Sequence, residues 1–228
     1  MGTEQKLRTL TTTVQVTMDG HLLEEDPAKS EFLLGCYIES GLKWTKQVRY
    51  LVTKLRTRLV ALAHLRNAAP YPVRKTIAVG IFNSVLTYCL PVFGECGTNN
   101  LKELQVLQNK AAQLVTHSPP RAARVLMYKK LDWLTVHQLV SYHTLISVFK
   151  TRKSREPEYL YQYLGNDSRY GKIMYEKIDL KITTRSYVFR GSTEWNLLPS
   201  SVKNCQKIGE FKPKLRKWIK ENVSMFLD

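Results

Sequence analysis

The sequence predicts a mainly α-helical fold with a small β-hairpin and strand at its N-terminal end. Hydrophobic residues recur at helical spacing through most of the chain after Gly41, whereas strand-like composition is concentrated in the first forty residues. Hydrophobic residues make up 43% of the 228 residues, enough for a sizeable core. We expect a small β region at 1–40, a helical bundle at 41–118 and a second, basic and mostly helical segment at 119–228.

The N-terminal β region is predicted from turn chemistry and composition. Thr11–Thr17 is rich in Thr and Val, and the Asp-Gly pair at 19–20 precedes Leu22 and Leu23. A two-residue Asp-Gly turn between such segments is typical of a β-hairpin. Phe32–Ile38 is predicted to be a further strand.

The helical bundle is predicted from three periodic segments. The first begins near Trp44 and runs to Pro70, with its apolar side formed chiefly by Trp44, Leu51, Leu55 and Leu62. The second begins at Pro72, which is favourable in a first turn, and stops at Pro91. The third covers Leu101–Val115, capped by Asn99 or Asn100.

The remaining segment follows the break at Ser118-Pro119-Pro120. We predict the following elements in chain order: a helix at Arg121–Leu131, a helix at Thr135–Phe149, a charged connection at Lys150–Glu156, one or two turns at Tyr159–Leu164, a strand at Ile178–Ile182 and a closing basic helix at Ile208–Val223.

The charge balance favours a polyanionic partner. The formal net charge is +16 and the pI is about 9.7, which is typical of nucleic-acid-binding proteins, although ribosomal, membrane-surface and acidic-protein partners would require the same charge. The excess is uneven, because residues 1–40 are net acidic. From Ser40 through Gly94 there is no Asp or Glu, while nine Lys and Arg residues occur.

The first helix carries the candidate binding residues. Helical geometry places part of its positive charge opposite the apolar side and part on a flank. Like charges at helical spacing repel, and no acidic residue within the helix offsets them. Phosphate groups would neutralise this face, and a plain solvated face is the alternative. The candidate nucleic-acid-binding residues are Lys46, Arg49, Lys54, Arg56 and Arg58.

Other basic and aromatic residues favour structural roles. The lysines of the closing helix alternate with Glu210 and Glu221, which indicates a solvated face. Trp44, Trp133 and Trp218 lie at apolar helical spacing, which favours core packing over stacking on bases.

The sequence contains no catalytic or cofactor-binding constellation. Phosphate-binding glycine loops and hydrolase motifs are absent. His137 and His143 do not share a helix face, so no metal site is expected. The acidic group Glu24–Asp26 is interpreted as solvent-facing. We therefore predict no catalytic residue, cofactor or metal in this chain.

Localisation is predicted from the cysteines and from the apolar segments. The four cysteines form no C-x-x-C pair, and no signal peptide precedes Thr11. The most apolar stretch, Ile77–Phe93, is too short to span a membrane. We expect an intracellular protein, nuclear or cytoplasmic, that is not secreted and has no membrane partner.

Three stretches carry a family resemblance. Phe32–Trp44 reads FLLGCYIESGLKW, and Ile81–Gly94 reads IFNSVLTYCLPVFG, with LQVLQNKAA following at Leu104–Ala112. Near the C-terminal end, Arg185-Ser186-Tyr187 and Gly191 precede WNLLP at Trp195–Pro199, with Phe211-Lys212 later. Together these stretches are similar to the region that follows the active site in LINE-type (non-LTR) retrotransposon reverse transcriptases. Phe93 replaces a usual Trp, and Leu114-Val115 replaces a common Arg.

The resemblance implies an RNA-directed DNA polymerase family. It makes residues 1–40 the edge of a palm, 41–118 a thumb and 119–228 a post-thumb segment. The family's carboxylate motif is expected upstream of Thr11, so Mg²⁺ is expected only in a palm outside this sequence, and the chain alone is predicted to be inactive. The expected partner is RNA, or an RNA–DNA or DNA duplex.

Two other interpretations remain open. A helical interaction module, or a decayed transposon fragment, would dock or self-associate through apolar faces, for which the edge of the Phe32 strand and the Trp44 face are the candidates. The second interpretation is an unrelated enzyme, which no recognisable set of catalytic residues in the sequence supports.

Overall fold

The structure, a computed structural model, describes residues 16–18, 21–23, 30–39, 42–165, 172–174 and 186–222. Over these residues the chain is mainly helical, with short antiparallel strand pairs near the N-terminal end. This architecture confirms the predicted fold class.

The predicted N-terminal hairpin is confirmed. Strand β1 (Val16–Met18) pairs antiparallel with β2 (His21–Leu23), and Met18 lies opposite His21. Residues 11–15, the Asp-Gly pair at 19–20 and the acidic group at 24–26 lie outside the described residues.

A second hairpin replaces the single strand predicted at Phe32–Ile38. Strand β3 (Ser30–Leu33) pairs antiparallel with β4 (Cys36–Glu39), so the prediction of one strand is wrong. The chain reverses at Leu34 and Gly35, whose φ angles are 47° and 80°. Positive φ at both central residues is characteristic of a type I′ turn, which connects antiparallel strands with two residues.

The predicted first helix is confirmed as α1 (Thr45–Ala68). Its buried side includes Val48, Leu51, Leu55 and Leu62, which explains why the apolar period dominates this segment. The helix ends before Pro70, because the residue before a proline is driven to extended backbone, here Ala69 with φ −126° and ψ 144°.

The second predicted helix is divided. Helix α2 (Tyr71–Ala78) continues through one π-helical turn (Val79–Asn83) into α3 (Ser84–Thr87). The predicted stop at Pro91 is wrong, because Tyr88 is extended and Cys89 has a φ of 55°. Pro91 instead lies in the first turn of α4 (Leu90–Phe93), where a missing backbone N–H costs nothing.

The third predicted helix is confirmed as α5 (Thr98–Thr116). It begins earlier than predicted, after Gly97 with φ 89°, so the predicted cap at Asn99 or Asn100 is wrong. Gly97 adopts a left-handed backbone that glycine tolerates best. The Asn100 amide lies inside the first turn and donates to the carbonyl of Cys96 at 2.6 Å.

Helices α6 (Arg124–Leu131) and α7 (Val136–Ser154) are confirmed, although α6 begins three residues later than predicted and α7 is longer. The Thr135 hydroxyl accepts from the backbone N–H of Gln138, whose side chain accepts from the Thr135 N–H. This capping box fixes the start of α7. The charged connection predicted at Lys150–Glu156 is mostly helix, because Thr151 is buried and packs the last turns into the fold.

The C-terminal part adds one short predicted element and two helices that were not predicted. Helix α8 (Glu158–Leu164) confirms the predicted turns, and α9 (Tyr187–Leu197) and α10 (Ser200–Lys203) are additional. The closing helix is confirmed as α11 (Ile208–Glu221). The strand predicted at Ile178–Ile182 lies outside the described residues.

Two hydrophobic cores organise these helices. The first includes Leu55, Phe82 and Leu104 and extends to Val140 on α7. The second is built around stacked rings, with the centroids of Phe149 and Phe211 4.2 Å apart. Helix α7 contributes to both cores. The predicted boundary between 118 and 119 stays a prediction.

The half-buried His143 on α7 leads to a pH-dependent stability prediction. Burial, and then the charge of Lys212 on α11, lower its pKa below the ordinary 6.5. A depressed pKa contributes stability above pH 6.5 that is lost as pH falls through the folded-state value. We expect the melting temperature to fall as the pH is lowered from 7.5 to 5.5, and to fall less in His143→Gln. Melting temperatures that fall equally with pH in the two proteins would contradict this role of His143.

Candidate nucleic-acid interface

Helix α1 presents basic side chains over a buried apolar side. Its 24 residues contain no Asp or Glu, and its buried residues include Gln47 and Leu55. Gln47 is fully buried, and its side-chain oxygen accepts from the backbone N–H of Tyr37 at 2.9 Å. The helix is therefore fixed at its start to strand β4.

The five predicted residues divide between different sides of α1. Arg49 and Arg56 lie two turns apart on one flank, and Lys54 and Arg58 lie one turn apart on the other. All four side chains are exposed. The helix thus presents two basic edges rather than one compact patch.

Lys46 is engaged by the second hairpin. Its ammonium group donates to the Ser30 hydroxyl at 2.6 Å and lies 4.6 Å from the centre of the Tyr37 ring. Its backbone N–H donates to the Glu39 carboxylate at 3.2 Å. Because the side chain is only half-buried, the charge remains accessible to an additional anion.

Three aromatic rings accompany Lys46 and Lys54. The rings of Phe32, Tyr37 and Tyr50 lie 4.7 to 5.6 Å apart, in tilted and edge-on arrangements. Lys54 places its ammonium group 4.3 Å from the centre of the Tyr50 ring. The hairpin and the start of α1 therefore combine cations with aromatic faces, which is typical of surfaces that contact nucleic acid.

A cleft of about 340 Å³ opens beside this aromatic group. Its lining comes from the hairpin turn, α1 and the region of α3, and includes Gly35, Tyr50, Lys54, Ser84 and Tyr88. The Tyr88 hydroxyl donates to the carbonyl of Leu34 at 2.6 Å. A Cβ on Gly35 would lie 3.1 Å from the Tyr88 ring, so glycine permits both the turn and this close approach.

The thiol chemistry near the cleft is weak. Burial, followed by the effect of neighbouring Cys89, raises the pKa of Cys36 to about 11. The Cys36 thiol is therefore protonated at neutral pH and is a poor nucleophile. Among the described residues, no group of three or more His, Cys, Asp or Glu side chains is arranged to hold a metal ion.

Helix α5 supplies an acidic partner that the sequence of α1 does not reveal. The Glu103 carboxylate lies 3.6 Å from the Arg56 guanidinium, and both side chains are largely exposed. Such a surface pair contributes about 0–1 kcal/mol and is screened by salt. A phosphate can therefore compete for Arg56 at little cost.

The closing helix differs from α1 because acidic groups satisfy much of its charge. Lys214 pairs with Glu210 at 2.7 Å, and Arg216 approaches Asp132 at 3.2 Å. Lys220 also pairs with Asp132. These ion pairs agree with the solvated face predicted for this helix.

The tryptophans have the predicted core positions. Trp44 and Trp133 are buried in the first core, and Trp218 packs against the second. The aromatic residues that do accompany the basic groups are Phe32, Tyr37, Tyr50 and Tyr88, which the sequence analysis did not select. A type I′ turn predicted at Leu34-Gly35 would have placed Phe32 opposite Tyr37, as the strand register does.

Comparison with known proteins gives one informative similarity. The chain is 22% identical, over 142 residues, to the probable RNA-directed DNA polymerase from transposon BS of Drosophila melanogaster. The aligned region covers 60% of this chain and 16% of that protein. No known family profile and no solved structure matches. Among the described helices, none combines the length and the hydrophobicity that a membrane span requires.

The alignment with the transposon protein shows that the chain carries a region distantly related to a transposon RNA-directed DNA polymerase.

Proposed function

We propose that this chain is the post-catalytic, thumb-containing part of a LINE-type reverse transcriptase and that it binds the template–primer duplex. The observation that carries the proposal is the acid-free helix α1, whose basic residues are displayed over a buried apolar side. The similarity to a transposon polymerase favours nucleic acid over other polyanions as the partner. In this proposal catalysis, with its Mg²⁺, belongs to the palm carboxylates that the resemblance implies for the whole polymerase.

Contact with the sugar-phosphate backbone suits the chemistry of α1. Four of its candidate side chains are exposed cations, and a cation recognises phosphate without reading the base sequence. Lys46 and Lys54 differ from the arginines because aromatic rings hold their ammonium groups. We expect these two lysines to position the strand nearest the hairpin, while Arg49, Arg56 and Arg58 contribute salt-sensitive attraction.

Replacing all five candidates with alanine tests this function. We expect affinity for an RNA–DNA hybrid to fall about a hundredfold at ~0.1 M salt, because the phosphate contacts and their counterion release are lost. Fluorescence anisotropy would measure the binding, and two unrelated hybrid sequences should give the same affinity. The substituted residues are Lys46, Arg49, Lys54, Arg56 and Arg58.

The matched control removes the same charge elsewhere. Five exposed lysines of the C-terminal half serve this purpose, and their replacement should change affinity less than threefold, an order-of-magnitude limit for long-range charge effects. Equal losses in both variants would show that only net charge matters and would overturn the assignment to α1. The control lysines are Lys150, Lys207, Lys212, Lys214 and Lys217.

A protein-interaction function has one specific observation in its favour. The second hairpin exposes Leu33 and Leu34, with 57% and 82% of each residue accessible, next to the half-exposed Phe32. Trp44 is only 8% exposed, so the expectation of an open Trp44 face is wrong, because the ring packs into the first core. Concentration-dependent elution on size exclusion, together with unaltered duplex binding by the five-alanine variant, would favour self-association instead.

A further inference from the structure

Helix α6 carries a second basic surface that the proposed function does not use. Between Glu103 and Asp132 the sequence has no acidic residue, and the second half of this interval contains Arg121, Arg124, Lys129 and Lys130, all exposed. The outward face of α6 displays Lys129 and Lys130 together with Val125 and Leu126, which are 77% and 67% exposed, and Arg121 and Arg124 are exposed at its N-terminal end. We call these six residues the α6 surface.

The opposite side of α6 is fixed to the first core. Met127, Tyr128 and Leu131 are buried, and the Tyr128 hydroxyl lies 3.0 Å from the side-chain oxygen of Gln108 on α5. The Tyr71 hydroxyl on α2 donates to the carbonyl of Lys130 at 3.0 Å. Folding therefore holds α6 in place through one side and leaves the α6 surface outward.

The cations of the α6 surface are available to an external anion. Within the part of the chain that the structure describes, no carboxylate forms an ion pair with Arg121, Arg124 or Lys129. Lys130 lies over the Tyr71 ring at 4.9 Å and remains exposed. Helix α11, by contrast, is as rich in lysine but pairs several of its charges internally. A surface that joins unneutralised cations to apolar side chains fits the phosphates and sugars of a nucleic-acid backbone.

The position of the α6 surface relates it to α1. Arg74 donates to the carbonyl of Arg66 at 2.9 Å and to that of Val115 at 3.0 Å, which joins the ends of α1 and α5. Because Tyr71 binds α6, the α6 surface lies near the C-terminal end of α1. At 1.5 Å per residue, Arg66 is roughly 30 Å along the helix from Lys46. That distance corresponds to about nine base pairs of duplex.

We propose that the α6 surface is a second nucleic-acid-binding site, which contacts the backbone of the same duplex beyond the C-terminal end of α1, roughly 30 Å from Lys46 and roughly 12 Å from Arg58. The choice of nucleic acid rests on the proposed function, whereas the surface itself follows from its charge and exposure. Val125 and Leu126 contact sugar edges between the phosphates that Arg121, Arg124 and Lys129 bind. Only a duplex longer than about nine base pairs covers the whole α1 contact, from Lys46 to Arg58, together with the α6 surface.

The test compares hairpin-capped RNA–DNA hybrids of about 8 and about 24 base pairs, lengths chosen on either side of that span. In the full chain, Arg121→Ala, Arg124→Ala and Lys129→Ala are combined. We expect at least a tenfold loss of affinity for the long hybrid and less than a twofold change for the short one, in order-of-magnitude terms. The control combines Lys212→Ala, Lys214→Ala and Lys217→Ala, which remove equal charge from α11 and should leave both affinities unchanged.

The remaining outcomes separate the two sites and the alternative ligand. A Val125→Ser, Leu126→Ser double variant should weaken binding of the long hybrid only, with an unchanged dependence on salt.

If the triple variant still binds both hybrids while the five-alanine α1 variant binds neither, the α6 site is overturned and the proposed function stands. Failure of the unmodified chain to bind either hybrid would overturn both. Loss of binding to phosphatidylserine vesicles, with hybrid binding intact, would assign the α6 surface to membranes and overturn the proposal.

Discussion

Replacing Phe211 with alanine is expected to destabilise the protein by about 3–5 kcal/mol, the usual cost of emptying the space of a fully buried ring. Phe211 has no solvent exposure, stacks on Phe149 with centroids 4.2 Å apart and lies 6.0 Å from the Trp195 ring. It thereby joins α11, α7 and α9 in the second core. Urea denaturation followed by far-UV circular dichroism would measure the loss.

The shape of that transition is as informative as its midpoint. Helix α7 places Val140 in the first core and Phe149 in the second, so the two cores share one continuous helix. We expect Phe211→Ala to shift a single cooperative transition rather than to produce a second one. Phe211→Leu, which keeps most of the apolar volume, should lose less than half as much stability. Two separate transitions in the alanine variant would show that the cores unfold independently.

Replacing Arg190 with methionine is expected to cost about 3 kcal/mol, because it leaves two acidic groups without their common cation. Arg190 lies on α9, is only 17% exposed and binds the Glu194 carboxylate at 2.8 Å. It also pairs with Glu95, at the start of the connection to α5, and donates to the Ser141 hydroxyl on α7 at 3.1 Å. This cluster is a polar link between the first core and the C-terminal helices.

Thermal denaturation measures the effect of Arg190→Met. For a chain of this size, a loss of about 3 kcal/mol lowers the melting temperature by about 6–12 °C. Adding Glu95→Gln and Glu194→Gln to Arg190→Met should restore part of the loss, because the unpaired charges are then removed. A melting temperature within about 2 °C of the unsubstituted protein would contradict this role of the cluster.

The helical part of the fold could be predicted because burial there follows a simple period. In α1 the buried apolar residues Val48, Leu51, Leu55 and Leu62 repeat at helical spacing and face one core. The same rule locates α5, α7 and α11. It fails for Phe32–Ile38, where hydrophobic residues on both sides of Gly35 conceal a turn that depends on positive φ angles. It also gives no sign of α9, whose apolar residues are interrupted by Gly191, Ser192 and Glu194.

The candidate interface could be predicted only in part, for a related reason. The absence of acidic residues from α1 is visible along the sequence, and the structure exposes Arg49, Lys54, Arg56 and Arg58. The partners of these residues are distant in sequence. Glu103 approaches Arg56 from α5, and the Tyr37 ring meets Lys46 from strand β4. The α6 surface was missed because its positive charges are fewer and become significant only when their exposure is known.

The central claim is that α1 binds the backbone of a nucleic-acid duplex, and the salt dependence of hybrid binding tests it most directly. If all five candidate residues contact phosphates, the logarithm of the association constant should fall with the logarithm of salt concentration with a slope near −4 or steeper. The five-alanine variant should lose about one unit of slope for each contact removed. A slope that is the same in both proteins would show that these residues make no phosphate contacts and would contradict the account.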